Sequence, residues 1–298
     1  INMNTKKTLL VILNIIFLLG LSTSVFCQYS TDYVTRTSAS YAGHDLTVLK
    51  MSRKDGRVKV KYFAGRDNAT GKSVYDRYQE WASGRKIICF SSGTFMTDCD
   101  PAKALPVGLC IDNGLIINNT LETSKFDALA IVYATGGMAV SNLKERNLSI
   151  TYSNGSSKVV NVRDPFERNT FNEWARQLTA TVFQTQLIAF KNQLMVYPGP
   201  SKISNRRFLV VGKDYSGTLH HLFVSTIPSL TVYESANVAY NYVKNSVLSD
   251  VIFMINVDPG CQDVYKVYSE YGGSVNETGY YGSSPTSQAT NLIVYYYE

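Results

Sequence analysis

Three segments join an apolar run to a turn carrying groups that can do chemistry. The first, Ile87-Ile-Cys-Phe-Ser-Ser-Gly-Thr-Phe-Met96, leads through Asp98, Asp100 and Pro101 to Pro106-Val-Gly-Leu109. A strand that ends in Ser91, Ser92, Gly93 and Thr94 sets hydroxyls and backbone N–H groups at its tip, donors suited to a sugar or phosphate oxygen. A plain turn uses the same residues. In the second, Arg206 and Arg207 enter the run Phe208-Leu-Val-Val211 ahead of a hairpin turn at Asp214 to Gly217. Adjacent strand residues face opposite ways, so one arginine points inward. An inward guanidinium needs an anion, either a carboxylate of the chain or a bound phosphate. The third is Val251-Ile-Phe-Met-Ile-Asn-Val-Asp-Pro-Gly260, where a strand apolar on both faces brings a carboxylate, Asp258, to its end. The alternative for Asp258 is a turn-forming role before Pro259.

Other chemistry has little support. No G-x-S-x-G, H-E-x-x-H or G-x-x-x-x-G-K-[ST] pattern occurs. The three histidines are His44, His220 and His221, and the last two alternate faces within one strand, so at most one enters a given cleft. A packed or surface histidine is the simpler account of both. Cys89, Cys99, Cys110 and Cys261 lack zinc-site spacing, and oxidation would allow three pairings that the sequence does not rank. Cys89 sits in an apolar run and reads as a small buried hydrophobe. A cysteine nucleophile at Cys89 or Cys261 lacks any orienting pattern. Asp98, Asp100 and Asp112 offer oxygens to Ca²⁺ without the close spacing of an EF-hand loop, so no cofactor or metal is expected.

The elements that must position these residues are mostly strands, marked by alternation and by β-branched and aromatic residues. Candidates include 46–51, 58–63, 86–91, 107–117 with a turn at Asp112-Asn-Gly114, 128–134, 148–152 and 159–162. Later ones are 186–190, 208–211, 218–224, 251–257 and 292–297. Helical spacing recurs over 170–180 and 229–243. The expected fold class is α+β: a single β-rich domain of mixed or antiparallel sheet with a few flanking helices. A chain of 298 residues, 45% hydrophobic and 17% charged, packs a core, which excludes disorder. Its formal charge of +6 is scattered and gives no footprint for nucleic acid.

The N-terminus has Lys6 and Lys7, an apolar run from Leu9 to Leu21, and small residues before Cys27, the pattern of a secretory signal peptide. Residues 1–27 are therefore expected to be removed, with 28–43 as a polar linker and 44–298 as the domain. The apolar run is too short for a retained transmembrane helix. Phe26 before Cys27 disfavours a lipid anchor, so the chain reads as exported. Losing Lys6 and Lys7 lowers the formal charge from +6 to +4.

The order of five segments carries a further likeness: the Ser92-Gly-Thr-Phe95 loop, Pro106-Val-Gly-Leu109 with its Asn-Gly turn, Arg206-Arg207 with Val-Gly-Lys-Asp214, Leu230-Thr-Val-Tyr-Glu-Ser-Ala236, and Ile255-Asn-Val-Asp-Pro-Gly260. Together they resemble the phosphodiester glycosidase domain family from about His44 to Val294. The resemblance implies cleavage of a sugar from a sugar-1-phosphodiester. The family's Asn-Gly-Gly-Phe-Phe loop falls on Ser92 to Met96, its arginine on Arg206 or Arg207, and its Glu-Ala-Ala helix start on Glu234 to Ala236. Its Asn-Leu-Asp-Gly-Gly-Gly-Ser run falls on Asn256 to Gln262. Ser92 replaces the loop's Asn, and Pro259 and Cys261 interrupt the glycines.

In such a reaction the leaving phosphate is already a stable anion, which arginine can hold, while a carboxylate stabilises or attacks the sugar's oxocarbenium centre. The implied catalytic carboxylates are Asp258 and, second, Glu234. Arg206 and Arg207 are the implied phosphate clamp, and Ser92, Gly93, Thr94, Asn256 and Gly260 the substrate contacts. An active site requires these groups to converge in one cleft. The competing expectation is a non-catalytic glycan-binding protein on the same scaffold, with tyrosines such as Tyr265, Tyr268 and Tyr295 to Tyr297 as stacking faces.

Overall fold

A computed structural model describes residues 24–65, 71–100, 102–257, 260, 263–271, 276–278 and 286–298. The chain folds as a mainly β, α+β single domain in which every strand pair described is antiparallel.

Three sheets enclose one core. The largest has eight strands in the order β1 (Ser24–Ser30), β2 (Val34–Tyr41), β3 (His44–Ser52), β16 (Leu219–Leu230), β15 (Ser204–Lys213), β17 (Asp250–Asn256), β13 (Leu187–Phe190) and β14 (Gln193–Leu194). A second runs β7 (Leu115–Asn118), β6 (Cys110–Asp112), β12 (Thr181–Thr185), β8 (Ala128–Val132) and β9 (Met138–Asn142). The third runs β19 (Asn276–Thr278), β18 (Val264–Val267), β5 (Lys86–Ser91), β20 (Asn291–Tyr297) and β4 (Val58–Ala64). A small hairpin, β10 (Leu148–Thr151) with β11 (Ser157–Val160), stands apart.

Alternation explains the layering. Leu209 and Val211 of β15, Ala128 and Ala130 of β8, and Ile293 and Tyr295 of β20 all face the shared core. Their neighbours Phe208 and Val210, Leu129 and Ile131, and Leu292 and Val294 face outward into three separate apolar layers. Each layer is capped by one helix: α1 (Val74–Ala82) over the third sheet, α2 (Pro165–Gln177) over the second, and α3 (Val232–Ser246) over the first. Sheets buried on both faces give near-continuous apolar strands, as in β8 and β20.

One expectation needs correction. The segment 28–43 is not a linker: β2 pairs with β3 along its whole length, from Val34 opposite Met51 to Tyr41 opposite His44. Its composition conceals this because only Val34 and Ala39 of the strand are buried. The expected leader 1–27 lies mainly outside the described residues, and its end, from Ser24, belongs to β1, where Cys27 stands opposite Ser38. No helix among the described residues is long and apolar enough to cross a membrane.

Candidate functional site

The ends of β5, β15 and β17 meet at one edge of the shared core, and Arg207 lies at their junction. Its position follows from the strand period: Leu209 and Val211 face the core, so Arg207 does too. Arg207 as a whole is 7% exposed. Its Nη1 donates to Asp263 Oδ1 at 2.6 Å and lies 3.5 Å from Ser91 Oγ, and the cation sits 4.1 Å above the Tyr265 ring. An ion pair, a cation–π contact and a hydroxyl thus meet the inward arginine. The Val257 N–H donates to the Arg207 carbonyl at 3.0 Å, so the residue before Asp258 is bound to the arginine's own backbone. Asp258, Pro259, Cys261 and Gln262 lie outside the described residues.

The Ser92 loop is close by but is not an open cradle. Ser92, Gly93 and Thr94 are buried, and their donors are used within the protein. Asn291 Oδ1 accepts from the N–H groups of Gly93 (2.6 Å) and Thr94 (3.0 Å), while Asn291 Nδ2 donates to the Thr94 carbonyl. Thr94 Oγ1 donates to the Gln184 carbonyl at 2.6 Å, and Ser92 Oγ accepts from the Val264 N–H at 2.8 Å. A Cβ at Gly93 would come within 2.7 Å of Tyr62 and 2.8 Å of Ile293, so glycine is required there. The loop therefore buttresses the edge where Arg207 sits, with the hydroxyls and N–H groups expected to contact substrate bonded within the protein.

Other expected residues face the opposite side of the large sheet. Arg206, alternate to Arg207, donates Nη2 to the Lys202 carbonyl at 2.7 Å. Asn256 shares the outward face of Met254 and donates Nδ2 to Gln186 Oε1 at 3.3 Å; it is buried. Glu234 is the N3 residue of α3, and its Oε2 accepts from the Thr231 N–H (3.0 Å) and hydroxyl (2.7 Å). This reciprocal cap holds the carboxyl below its usual range through the Thr231 hydroxyl first and the backbone bond second. Glu234 is exposed and belongs to the helix that covers the face away from Arg207. The structure gives it a helix-capping role and does not bring it to the Arg207 junction. Gly260 has φ of +72° and accepts at its carbonyl from the Asp263 N–H at 3.1 Å, closing a turn that delivers Asp263 to Arg207.

The remaining candidates are structural. His220 Nε2 contacts Asp214 Oδ2 of the hairpin turn at 2.9 Å, and His221 Nδ1 contacts the Tyr295 hydroxyl at 2.7 Å. Burial pushes His221 down to about 3, so it is neutral in ordinary buffers and unable to reach solvent. Cys89 and Cys110 are free and buried, which excludes all three two-bridge pairings, whereas Cys99 is disulfide-bonded. Asp112 pairs with Arg77 and accepts from the Ala64 N–H. Asp100 Oδ1 accepts from the Ala102 N–H in its own turn. Among the described residues no group of three or more His, Cys, Asp or Glu is arranged to hold a metal.

Sequence reasoning missed Asp263, Asn291 and Gln184, and it offered Tyr265 as a sugar-stacking face where the ring lies under Arg207. The inward arginine signalled a carboxylate without locating it, since Asp263 is five residues beyond Asp258 in the sequence and outside any strand pattern. Asn291 and Gln184 begin or lie in strands whose apolar neighbours hide one buried amide each.

No family model matches the chain, and no curated protein matches it. Several solved structures are similar. The catalytic domain of zebrafish N-acetylglucosamine-1-phosphodiester alpha-N-acetylglucosaminidase, auto-inhibited by its pro-peptide, aligns at 13% identity with a TM-score of 0.47, over 93% of this chain and 83% of that one. A hypothetical protein from Synechocystis aligns at 9% identity with a TM-score of 0.49, over 92% of this chain and 64% of that one, less than two thirds of its length. A candidate exported protein of Burkholderia pseudomallei aligns at 9% identity with a TM-score of 0.45, over 87% and 74%. Likeness at this level carries nothing about substrate.

Proposed function

We propose that the chain is an exported hydrolase of the phosphodiester glycosidase type, which cleaves a sugar from a sugar-1-phosphodiester. The observation that carries this reading is the junction at Arg207. The N–H of Val257 bonds to the Arg207 carbonyl at 3.0 Å, and the Arg207 side chain reaches Ser91, so two of the five resembling segments meet beside the residue that leads into a third, the Ser92 loop. In this reading Asp258 is the carboxylate that stabilises or attacks the anomeric carbon, and Arg207, oriented by Asp263, supplies positive charge toward the departing phosphate. Arg206 and Glu234 have no part in it.

The test is turnover of a sugar-1-phosphodiester by the full chain. Asp258→Asn is expected to abolish hydrolysis, with a loss of at least 100-fold, on the order expected for a group acting on the reacting centre. Unchanged turnover would reject the assignment. A second reading, glycan binding without turnover, is favoured by one observation: Glu234 is spent on capping α3, leaving a single candidate carboxylate where glycosidases ordinarily use two. Saturable glycan binding in calorimetry, with no hydrolysis in a parallel assay, would select it.

A further inference from the structure

Beyond the Arg207 junction, a depression of about 460 Å³ lies beside α2 and the segment leaving β7, lined by Asn119, Thr120, Leu121, Thr123, Arg163 and Arg168. Two arginines share it. Arg163 precedes the N-cap of α2 and donates Nε to the Leu143 carbonyl at 2.9 Å. Arg168, in the helix, makes a long contact of 3.4 Å from Nη1 to the Val162 carbonyl. Both guanidiniums are thus held against main-chain oxygens, and among the described residues neither pairs with a carboxylate.

The nearby acids are engaged elsewhere. Asp164 Oδ1 caps α2 by accepting from the Phe166 and Glu167 N–H groups. Glu167 Oε2 accepts from the Asn161 N–H, and Glu122 Oε1 from the Ser124 N–H. Beneath the depression Asn172, buried, donates Nδ2 to Asn119 Oδ1 at 2.9 Å and ties the lining segment to the helix. Arg168 Nε is shielded from solvent and has no hydrogen-bond acceptor. An unmet donor costs free energy, and the two guanidiniums, which line one space, repel each other unless an anion lies between them. Guanidinium forks match tetrahedral oxyanions in two-point fashion.

We propose that this depression is an oxyanion site that takes a phosphate or sulfate group carried on a small polar ligand. Arg163 and Arg168 form the clamp, with the Thr120 and Thr123 hydroxyls as further donors. The volume, within the range of small-molecule pockets, leaves room for the group that bears the anion. The site belongs to a different sheet and helix from Arg207 and stands whether or not the hydrolase reading does.

The test titrates inorganic phosphate and, separately, inorganic sulfate into the full chain at low ionic strength, followed by backbone amide shifts and calorimetry. Chloride at matched ionic strength is the control. Saturable shifts are expected over 119–123 and 163–168 with phosphate or sulfate and not with chloride, the tighter of the two identifying the ester class. The R163Q/R168Q double variant is expected to bind at least tenfold more weakly. R168Q alone, which keeps the Arg163 to Leu143 bond, should lose several-fold while retaining the native amide spectrum. Absence of saturation, shifts confined to other regions, or wild-type affinity in R168Q would overturn the proposal.

Discussion

Arg207, 7% exposed, and Asp263, 3% exposed, behave as one unit, because a buried charge has little water to fall back on. Asp263→Asn is expected to cost about 3 kcal/mol, since it removes a buried ionic partner of Arg207, and Arg207→Met a similar amount. The double variant should recover much of the loss, a coupling that urea denaturation of the four proteins measures directly. His221 makes the complementary case for a neutral group. Its proton affinity is depressed in the folded chain to about 3, from about 6.5 when unfolded, so the unfolded state binds the extra proton first. Stability contributed by keeping His221 neutral is complete above about pH 6.5 and is lost as pH falls toward 3, with a limiting slope of roughly 1.4 kcal/mol per pH unit. His221→Phe should flatten the pH dependence of the urea midpoint in that window. An unchanged slope would mean that His221 is not the group taking up the proton.

At the level of elements, α3 shows how a family likeness and local physics compete for one side chain. Thr231 and Glu234 form a reciprocal cap, and Thr231→Ala should destabilise the protein by about 1 kcal/mol. Glu234→Gln should leave any sugar-phosphodiester turnover at the wild-type level, whereas a catalytic Glu234 would lose it. The sequence Thr-Val-Tyr-Glu already displays this capping pattern, so the structural role was legible alongside the resemblance. Legibility elsewhere followed burial. The run Lys86–Ser91 was readable end to end because five of its six residues are buried. The turn between β6 and β7 was readable as well, since Asn113 and Gly114 both take positive φ, as an Asn-Gly hairpin requires. Helix α1 escaped because its apolar positions are two tyrosines, a tryptophan and little else, although Ser73 and Asp76 again mark its start. Strand β2 escaped because pairing with β3, rather than its own pattern, decides its state.

Across the whole molecule, one core serves three sheets, and this accounts for part of the tyrosine excess. Tyr62 stacks on Phe183 at 4.4 Å between the second and third sheets, and Tyr295 packs edge-on against Phe223 of the first. A phenol is long enough to bridge such sheets, and several of these are buried rather than offered as stacking faces. Cys89 and Cys110 lie in the same core, so an alkylating reagent should label neither thiol in the native protein and both once the chain unfolds. Native labelling of only one would show that a single sheet opens independently. The candidate site was readable at this scale only in part: alternation separated Arg206 from Arg207, but which face each would take depended on sheets assembled from distant segments. The same assembly bears on how the protein is made. Strand β20 lies between β5 and β4, so two strands translated early can join only through one translated late. During synthesis the edges of β4 and β5 that face β20 therefore wait unpaired until Asn291–Tyr297 has been made, and those exposed strand edges need shielding in the interval.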